Sequence, residues 1–400
     1  MNFDIPFYYH AAVLAMLTGT LATLVSNLFL FRTVKKSTPA GPRESWPRVS
    51  VLVPARNEAR CIARCAGSLA AQDYPDFEVL VLNDHSEDDT EKILRSIGFD
   101  ENSPAELSRP LRLLHGGPLP PDWGGKNWAC HQLSQHATGG YLFFTDADTW
   151  HAPEMLASVV AHAQATRADL CSPWPRHAME TWSEKLVIPL LYFLSVALFP
   201  FGLLQWLLRH PSHAAKLPGT VLRGLGFANG QAILFKKSAY EKIGGHAAVR
   251  EHMVEDVALG REIVRRIGEG MRLENCDAGP LIGCRMYRSF GEVWEGFTKN
   301  LWPAFEEAHV WFFLVGTMQF FVFVLPFALV CAPGRLQLFA FAEIALIYAI
   351  RFILALRFRT SWLGALLHPA GNALGLLIGL NSWWRCGRGG VTWKGRVYRG

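Results

Sequence analysis

Four apolar runs, each close to the length of a bilayer crossing, constrain this chain before any other feature: residues 7–31, 309–332, 337–356 and 362–382. About twenty consecutive apolar residues in a helix match the hydrocarbon thickness of a membrane. Half of the 400 residues are hydrophobic and only 18% are charged, and the apolar ones gather at the two ends of the chain. A fifth stretch, 186–208, carries Pro189, Pro200 and Gln205 and reads as a membrane-dipping or interfacial segment.

The first run is too long for the apolar core of a signal peptide and is followed by no small-residue cleavage site. Arg32, Lys35, Lys36, Arg43 and Arg48 follow it, against one acid, Glu44. The positive-inside rule therefore expects a multi-pass protein of the cell (inner) membrane, with the residues after this run in the cytoplasm. The net charge of +5 flanks membrane segments, which suits membrane lipid headgroups and gives no nucleic-acid-binding stripe. The eight cysteines form no C-x-x-C pair and read as free thiols of a reducing compartment. One conflict stands in the topology. Three C-terminal crossings would leave the tail outside, yet Arg385, Arg388, Lys394, Arg396 and Arg399 argue for a cytoplasmic tail. The 362–382 run, with His368, Pro369, Gly371 and Asn372 at mid-depth, is the segment expected not to cross.

Between the apolar ends, strands and helices alternate. Residues 49–53 read as a buried strand stopped by Pro54, and 59–71 as a helix. Residues 77–82 read as the next strand, ending at Asn83-Asp84, followed by a helix over 88–97 and a short strand over 111–114. Residues 127–137 are helical in pattern, and 141–145 form a strand running into Asp146-Ala147-Asp148. This alternation predicts a parallel, Rossmann-like α/β sheet. Ligands of such sheets bind beyond the carboxyl ends of the strands, where Asn57, Glu58, Asp84, Asp146 and Asp148 all fall. Further on, Ser289 and Glu292 have the form of a capping box, and Phe290, Val293, Trp294, Phe297 and Leu301 make one apolar stripe. That is an amphipathic helix of the membrane interface.

The residues after the strands suit a nucleoside diphosphate and a cation. Pro54, Ala55, Arg56, Asn57 and Glu58 could line a base or ribose pocket, and Asp84 could accept from a base ring N–H or a ribose hydroxyl; each is also ordinary turn chemistry. Trp123-Gly124-Gly125-Lys126 opens a helix, whose first amides attract phosphate while Lys126 adds a point charge. Asp146 and Asp148 offer hard oxygen ligands for Mg²⁺ or Mn²⁺ shared with a diphosphate, with Asp146 alternatively a ribose contact. Glu255 and Asp256 stand at a helix start, where acids are favoured in any case. Read for chemistry, they supply a general base near a sugar's anomeric carbon. Glycines in Phe227-Ala228-Asn229-Gly230-Gln231 and Gly244-Gly245-His246 would permit close backbone approach.

In this order, Val53-Pro54-Ala55-Arg56-Asn57-Glu58, Asn83-Asp84, Gly125-Lys126, Asp146-Ala147-Asp148, Gly244-Gly245 and Glu255-Asp256 resemble family 2 glycosyltransferases, whose catalytic domain has the GT-A fold. Within that family the chain is similar to the membrane enzymes of carotenoid and hopanoid glycosylation. Their likeness lies in residues 124–129, 144–149 and 285–288 and in the tail 393–398. The resemblance implies an inverting transfer, with Asp84 on the uridine, Lys126 and an Asp148-bound metal on the diphosphate, and Asp256 as base. The Q-x-x-R-W of processive members is missing; Lys299-Asn300-Leu301-Trp302 is the nearest counterpart, leaving Lys299, Arg285 and Arg288 as candidates for the departing diphosphate.

The expected organisation is a membrane anchor and basic linker over 1–45, a GT-A domain over 46–302 ending in the interfacial helix 289–302, and a membrane region with two to three crossings over 303–400. The expected function is metal-dependent transfer of one sugar, glucose first among candidates, from a UDP-sugar to a lipophilic acceptor such as a carotenoid or hopanoid-type lipid. The alternatives are a polyprenyl-phosphate glycosyltransferase, a processive polysaccharide synthase, and, from another class, a non-catalytic lipid carrier or transport subunit. Oligomeric state is open.

Overall fold

The computed structural model describes residues 5–38, 46–103, 109–305, 308–334, 336–388, 390–393 and 396–398. Arg43 and Glu44 of the linker, and Lys394, Gly395 and Arg399 of the tail, lie outside the described residues.

The centre is a seven-stranded sheet. Its strands, in chain order, are β1 (Val49–Ala55), β2 (Phe77–Asn83), β3 (Leu111–His115), β4 (Tyr141–Thr145), β6 (Leu170–Trp174), β8 (Ala232–Lys236) and β9 (Leu273–Asp277). They lie in the order β3-β2-β1-β4-β8-β6-β9. Every residue of β2 and β4 is buried, because helices cover both faces, so the strands read as continuous apolar runs. The Ile62–Ala70 and Met155–Thr166 helices pack on one face, and the Gly125–His136 and Glu255–Arg265 helices on the other.

Two expectations need correction. The sheet is mixed, because β8 runs antiparallel to both β4 and β6. Pro54 does not stop β1, which continues to Ala55 beside β2. Strand β4 accompanies β1 only as far as Leu52, so on that side no ladder bond is lost where proline lacks its N–H. A second, small sheet follows the double aspartate: β5 (Thr149–His151), β10 (Ile282–Cys284) and β7 (Arg176–His177), in the order β5-β10-β7.

Among the described residues, three helices are long and apolar enough to cross a membrane: Pro6–Leu30, His309–Leu329 and Gln337–Phe358. The 186–208 stretch falls in a pair, Trp182–Ala197 and Phe201–Arg209, bent by 42° at Pro200 and with a π-helical turn over Phe193–Ala197. The fourth predicted run is broken into Trp362–Leu366 and His368–Cys386, as a proline at helix position two would have it, and is not among the spans. Its second piece packs on the Phe290–Asn300 helix. That helix is capped by Ser289, whose hydroxyl accepts from the Glu292 amide, but the Glu292 carboxylate turns to the Arg288 amide instead of closing the box. Its Val293, Gly296, Phe297 and Thr298 are buried against protein.

Asp277 ties the first and third of these apolar helices to the domain. The Asp277 carboxylate, at the end of β9, accepts from Thr33 (3.1 Å) and from the Arg357 guanidinium at the last turn of the third span. The Asp277 amide donates to the Arg32 carbonyl, and its own carbonyl accepts from Val34.

Candidate active site

Lys126 stands in the first turn of the Gly125–His136 helix, and its ammonium lies 2.7 Å from the Asp146 carboxylate and 2.8 Å from that of Glu255. One pocket is lined by all three with Pro54, Gly230 and His246. Burial alone would lower the Lys126 ammonium; the two carboxylates outweigh it and hold the group well above the ordinary lysine range. Burial likewise opposes ionisation of Glu255, but Lys126 prevails and keeps that carboxyl below its ordinary value, with the Lys299 charge assisting.

Asp256 is the opposite case. Burial, then the neighbouring Glu255 charge, raises its carboxyl to about 6, despite hydrogen bonds from the Val257 and Gly230 amides. Two adjacent acids at one helix start thus divide into a fixed anion and a carboxyl that can take up a proton near neutral pH. His246, buried behind them and hydrogen-bonded to Tyr240 (2.8 Å), is pushed down to about 3 by burial and is a neutral imidazole.

Asp148 lies two residues past Asp146 of the pocket wall. Its carbonyl accepts from the Arg285 amide (3.2 Å), and the Cys284 thiol approaches its carboxylate at 3.5 Å. Burial and the charges of Asp148 and Asp146 push that thiol well up. The carboxylates of Asp146 and Asp148 are hard oxygen donors of the kind that suits Mg²⁺ or Mn²⁺.

The residues after β1 and β2 meet each other and do not line this pocket, Pro54 excepted. The Arg56 guanidinium donates to the carbonyls of Asp84 (2.8 Å) and His85 (3.3 Å). Ala55 accepts from the Asp84 amide. Asn57, at φ 54°, receives the Glu87 amide on its side chain, and the Glu58 amide donates to Thr90. Asp84 itself is buried. Of the three cations considered for the departing diphosphate, Arg285 is committed to Glu180 (2.6 Å) and Glu184 (3.0 Å), and Arg288 is exposed. Lys299 alone has its charge acting on Glu255.

Two positioning elements escaped the sequence reading. Asn127 donates to the carbonyls of Val249, Arg250 and His252, and the Gly124 amide to Arg250, so the Lys126 helix is pinned to the loop that delivers Glu255 and Asp256. The Gln231 carbonyl accepts from the Asp146 amide and the Thr145 hydroxyl, while its side chain bonds His177 (2.8 Å), which bonds Tyr192 (2.7 Å) on the bent helix pair. No local pattern marks these contacts, since each joins residues more than fifty positions apart or passes through a buried histidine.

The sheet is a GT-A-like mixed α/β sheet with an acidic carboxyl edge, and residues 50–244 match the model of glycosyl transferase family 2. Residues 206–399 match that of glycosyl transferase family 21. The chain is 27% identical over 256 residues to the 4,4'-diaponeurosporenoate glycosyltransferase of Staphylococcus aureus (strain USA300), with 63% of this chain and 60% of the relative covered. The same figures hold for the protein of strain Newman. The chain thus spans about three fifths of the length of these curated relatives. Among solved structures it is similar to the mannosyltransferase PcManGT of Pyrobaculum calidifontis, in complex with GDP-Man and Mn²⁺, at TM-score 0.48 and 19% identity, covering 94% of this chain and 97% of that one.

Proposed function

We propose that this protein transfers a single sugar, with inversion, from a UDP-sugar to a lipophilic acceptor of carotenoid type at the cytoplasmic face of the inner membrane. The observation that carries the reading is the Lys126 bridge: one half-buried cation between Asp146 and Glu255, with Asp256 at the same helix start. Lys126 is poised to exchange a carboxylate for the diphosphate oxygens of the donor. Asp146 and Asp148 would hold Mg²⁺ or Mn²⁺, which when bound supplies charge neutralisation at the departing diphosphate. Asp256 takes the proton of the acceptor hydroxyl, or orients an acceptor carboxylate, as its oxygen attacks the anomeric carbon. Pro54, Asp84 and the Arg56–Glu58 turn frame the uridine end, and Lys299 approaches from the interfacial side. Glucose is the proposed sugar.

The positions of the helix ends support the proposed sidedness. Arg357, closing the third span, meets Asp277, and the Trp302 amide donates to Ser382 near the end of the last helix. Both ends therefore return to the domain, and a tail on the cytoplasmic side needs only two C-terminal crossings.

The test uses detergent-purified full-length protein with labelled UDP-glucose, Mn²⁺ and a panel of carotenoid and hopanoid acceptors. Asp256→Asn is expected to abolish transfer while leaving UDP affinity nearly intact. Retained turnover in that variant removes Asp256 as base, and no labelled lipid product with any acceptor overturns the reading.

A further inference from the structure

A second groove, of about 390 Å³, lies outside the donor site, against the small β5-β10-β7 sheet. Trp150, Pro280 and Leu281 give it an apolar floor, and Arg176 stands at its rim. The Arg64 guanidinium stacks on the Trp150 ring at 3.5 Å. Trp150 lies so close over Gly283 that a Cβ there would come within 2.1 Å of the indole, so the ring can lie flat only on a glycine. Arg64 and Arg176 are both exposed, and among the described residues neither has a carboxylate within ion-pair distance. Two such arginines beside an aromatic platform are the chemistry of a phosphate with an attached organic group.

Its two faces separate this groove from the donor site. In β10, Cys284 points to Asp148 and Gln231, whereas Gly283, one residue earlier, faces Trp150 and the groove. Alternation along a strand puts the groove on the reverse side of the sheet from Asp148. Its neighbour is the Asp277 latch. One oxygen of the Asp277 carboxylate accepts from Thr33 and Arg357, while the other accepts from the amide of Gly279, which lines the groove (2.9 Å). The groove wall is thus hung on the residue that ties the first and third spans to the domain.

We propose that this groove binds the phosphate headgroup of an anionic membrane lipid, with the phosphate between Arg64 and Arg176 and the glycerol portion against Trp150 and Leu281. The position beside the latch selects a lipid over a soluble phosphate. A headgroup at the bilayer edge would sit within two residues of Asp277, where the basic linker that follows the first span adds to the attraction.

The experiment is native mass spectrometry of the full-length protein in detergent, titrated with phosphatidylglycerol, phosphatidylcholine or inorganic phosphate. The wild type is expected to retain phosphatidylglycerol about tenfold more tightly than phosphatidylcholine, as two basic contacts near a membrane surface allow. The double variant Arg64→Ala/Arg176→Ala is expected to lose that preference with UDP affinity unchanged, and Arg64→Lys/Arg176→Lys to keep it in large part. A preference that survives in the alanine pair, or its absence in the wild type, overturns the proposal. Displacement of phosphatidylglycerol by inorganic phosphate at equal concentration assigns the groove to a soluble anion and overturns the lipid source.

Discussion

The Asp256 carboxylate accepts a hydrogen bond from the Gly230 amide, and a Cβ on Gly230 would lie 2.8 Å from the same oxygen. The loop that precedes β8 therefore aims the proposed base, and only a glycine lets it approach so closely. Gly230→Ala is expected to push Asp256 aside and lower kcat by about a hundredfold, the scale of a misplaced catalytic group. UDP affinity, measured by calorimetry, should change less than threefold, roughly 0.6 kcal/mol. An alanine variant with wild-type kcat would show that Asp256 does not act from this position.

Lys126→Met keeps the aliphatic stem and removes the charge. Asp146 and Glu255 would then share a site without the ammonium that now separates them. We expect UDP affinity to fall by at least about tenfold, near 1.4 kcal/mol. Unchanged UDP affinity would place Lys126 in a purely structural bridge.

The Asp256 carboxyl, raised to about 6, gives a pH signature. As a base it must be ionised, so kcat/KM should fall about tenfold per pH unit below 6 and level off above it. Glu255→Gln removes the second of the two influences that raise it, and the acid limb should move to lower pH. For stability the sign is reversed. The folded chain holds this proton more tightly than the unfolded one, so the group stabilises the fold fully below its ordinary value of 3.8 and ceases to as pH rises through 6. A flat profile across pH 5–7 (roughly the expected limb) would remove Asp256 from the rate-determining protonation.

Membrane sidedness has a native reporter. Cys331 is exposed and lies between the second and third spans, across the bundle from Arg357. An impermeant thiol reagent on intact spheroplasts is expected to label Cys331 but not a cysteine replacing Arg388 in a Cys331→Ser background. Labelling of the Arg388→Cys variant from outside would require a third C-terminal crossing.

The elements that were legible in the sequence are those whose signals are local. Strands β1, β2 and β4 are buried on both faces and so appear as apolar runs ended by polar residues, and the long apolar helices declare themselves by length. The short strands of the small sheet carry no such signal: Arg176–His177 and Ile282–Cys284 become strands only because β5 and one another are there to pair with. The antiparallel β8 was invisible for the same reason, since strand direction is a property of the partner.

By itself the sequence determined which side chains are available at the carboxyl edge of the sheet and that the chain carries helices long and apolar enough to cross a membrane toward both its ends, because hydrophobic length and strand-end chemistry are written residue by residue. Tertiary structure alone decided that Lys126 bridges Asp146 and Glu255, that Glu255 holds its charge to lower pH than Asp256, that Asn127 pins the two loops, and that the last apolar helix folds back onto the domain. Each of these depends on distances between residues far apart in the chain. Coulombic and hydrogen-bond energies fall off over a few ångströms, and no spacing along the chain encodes such a separation.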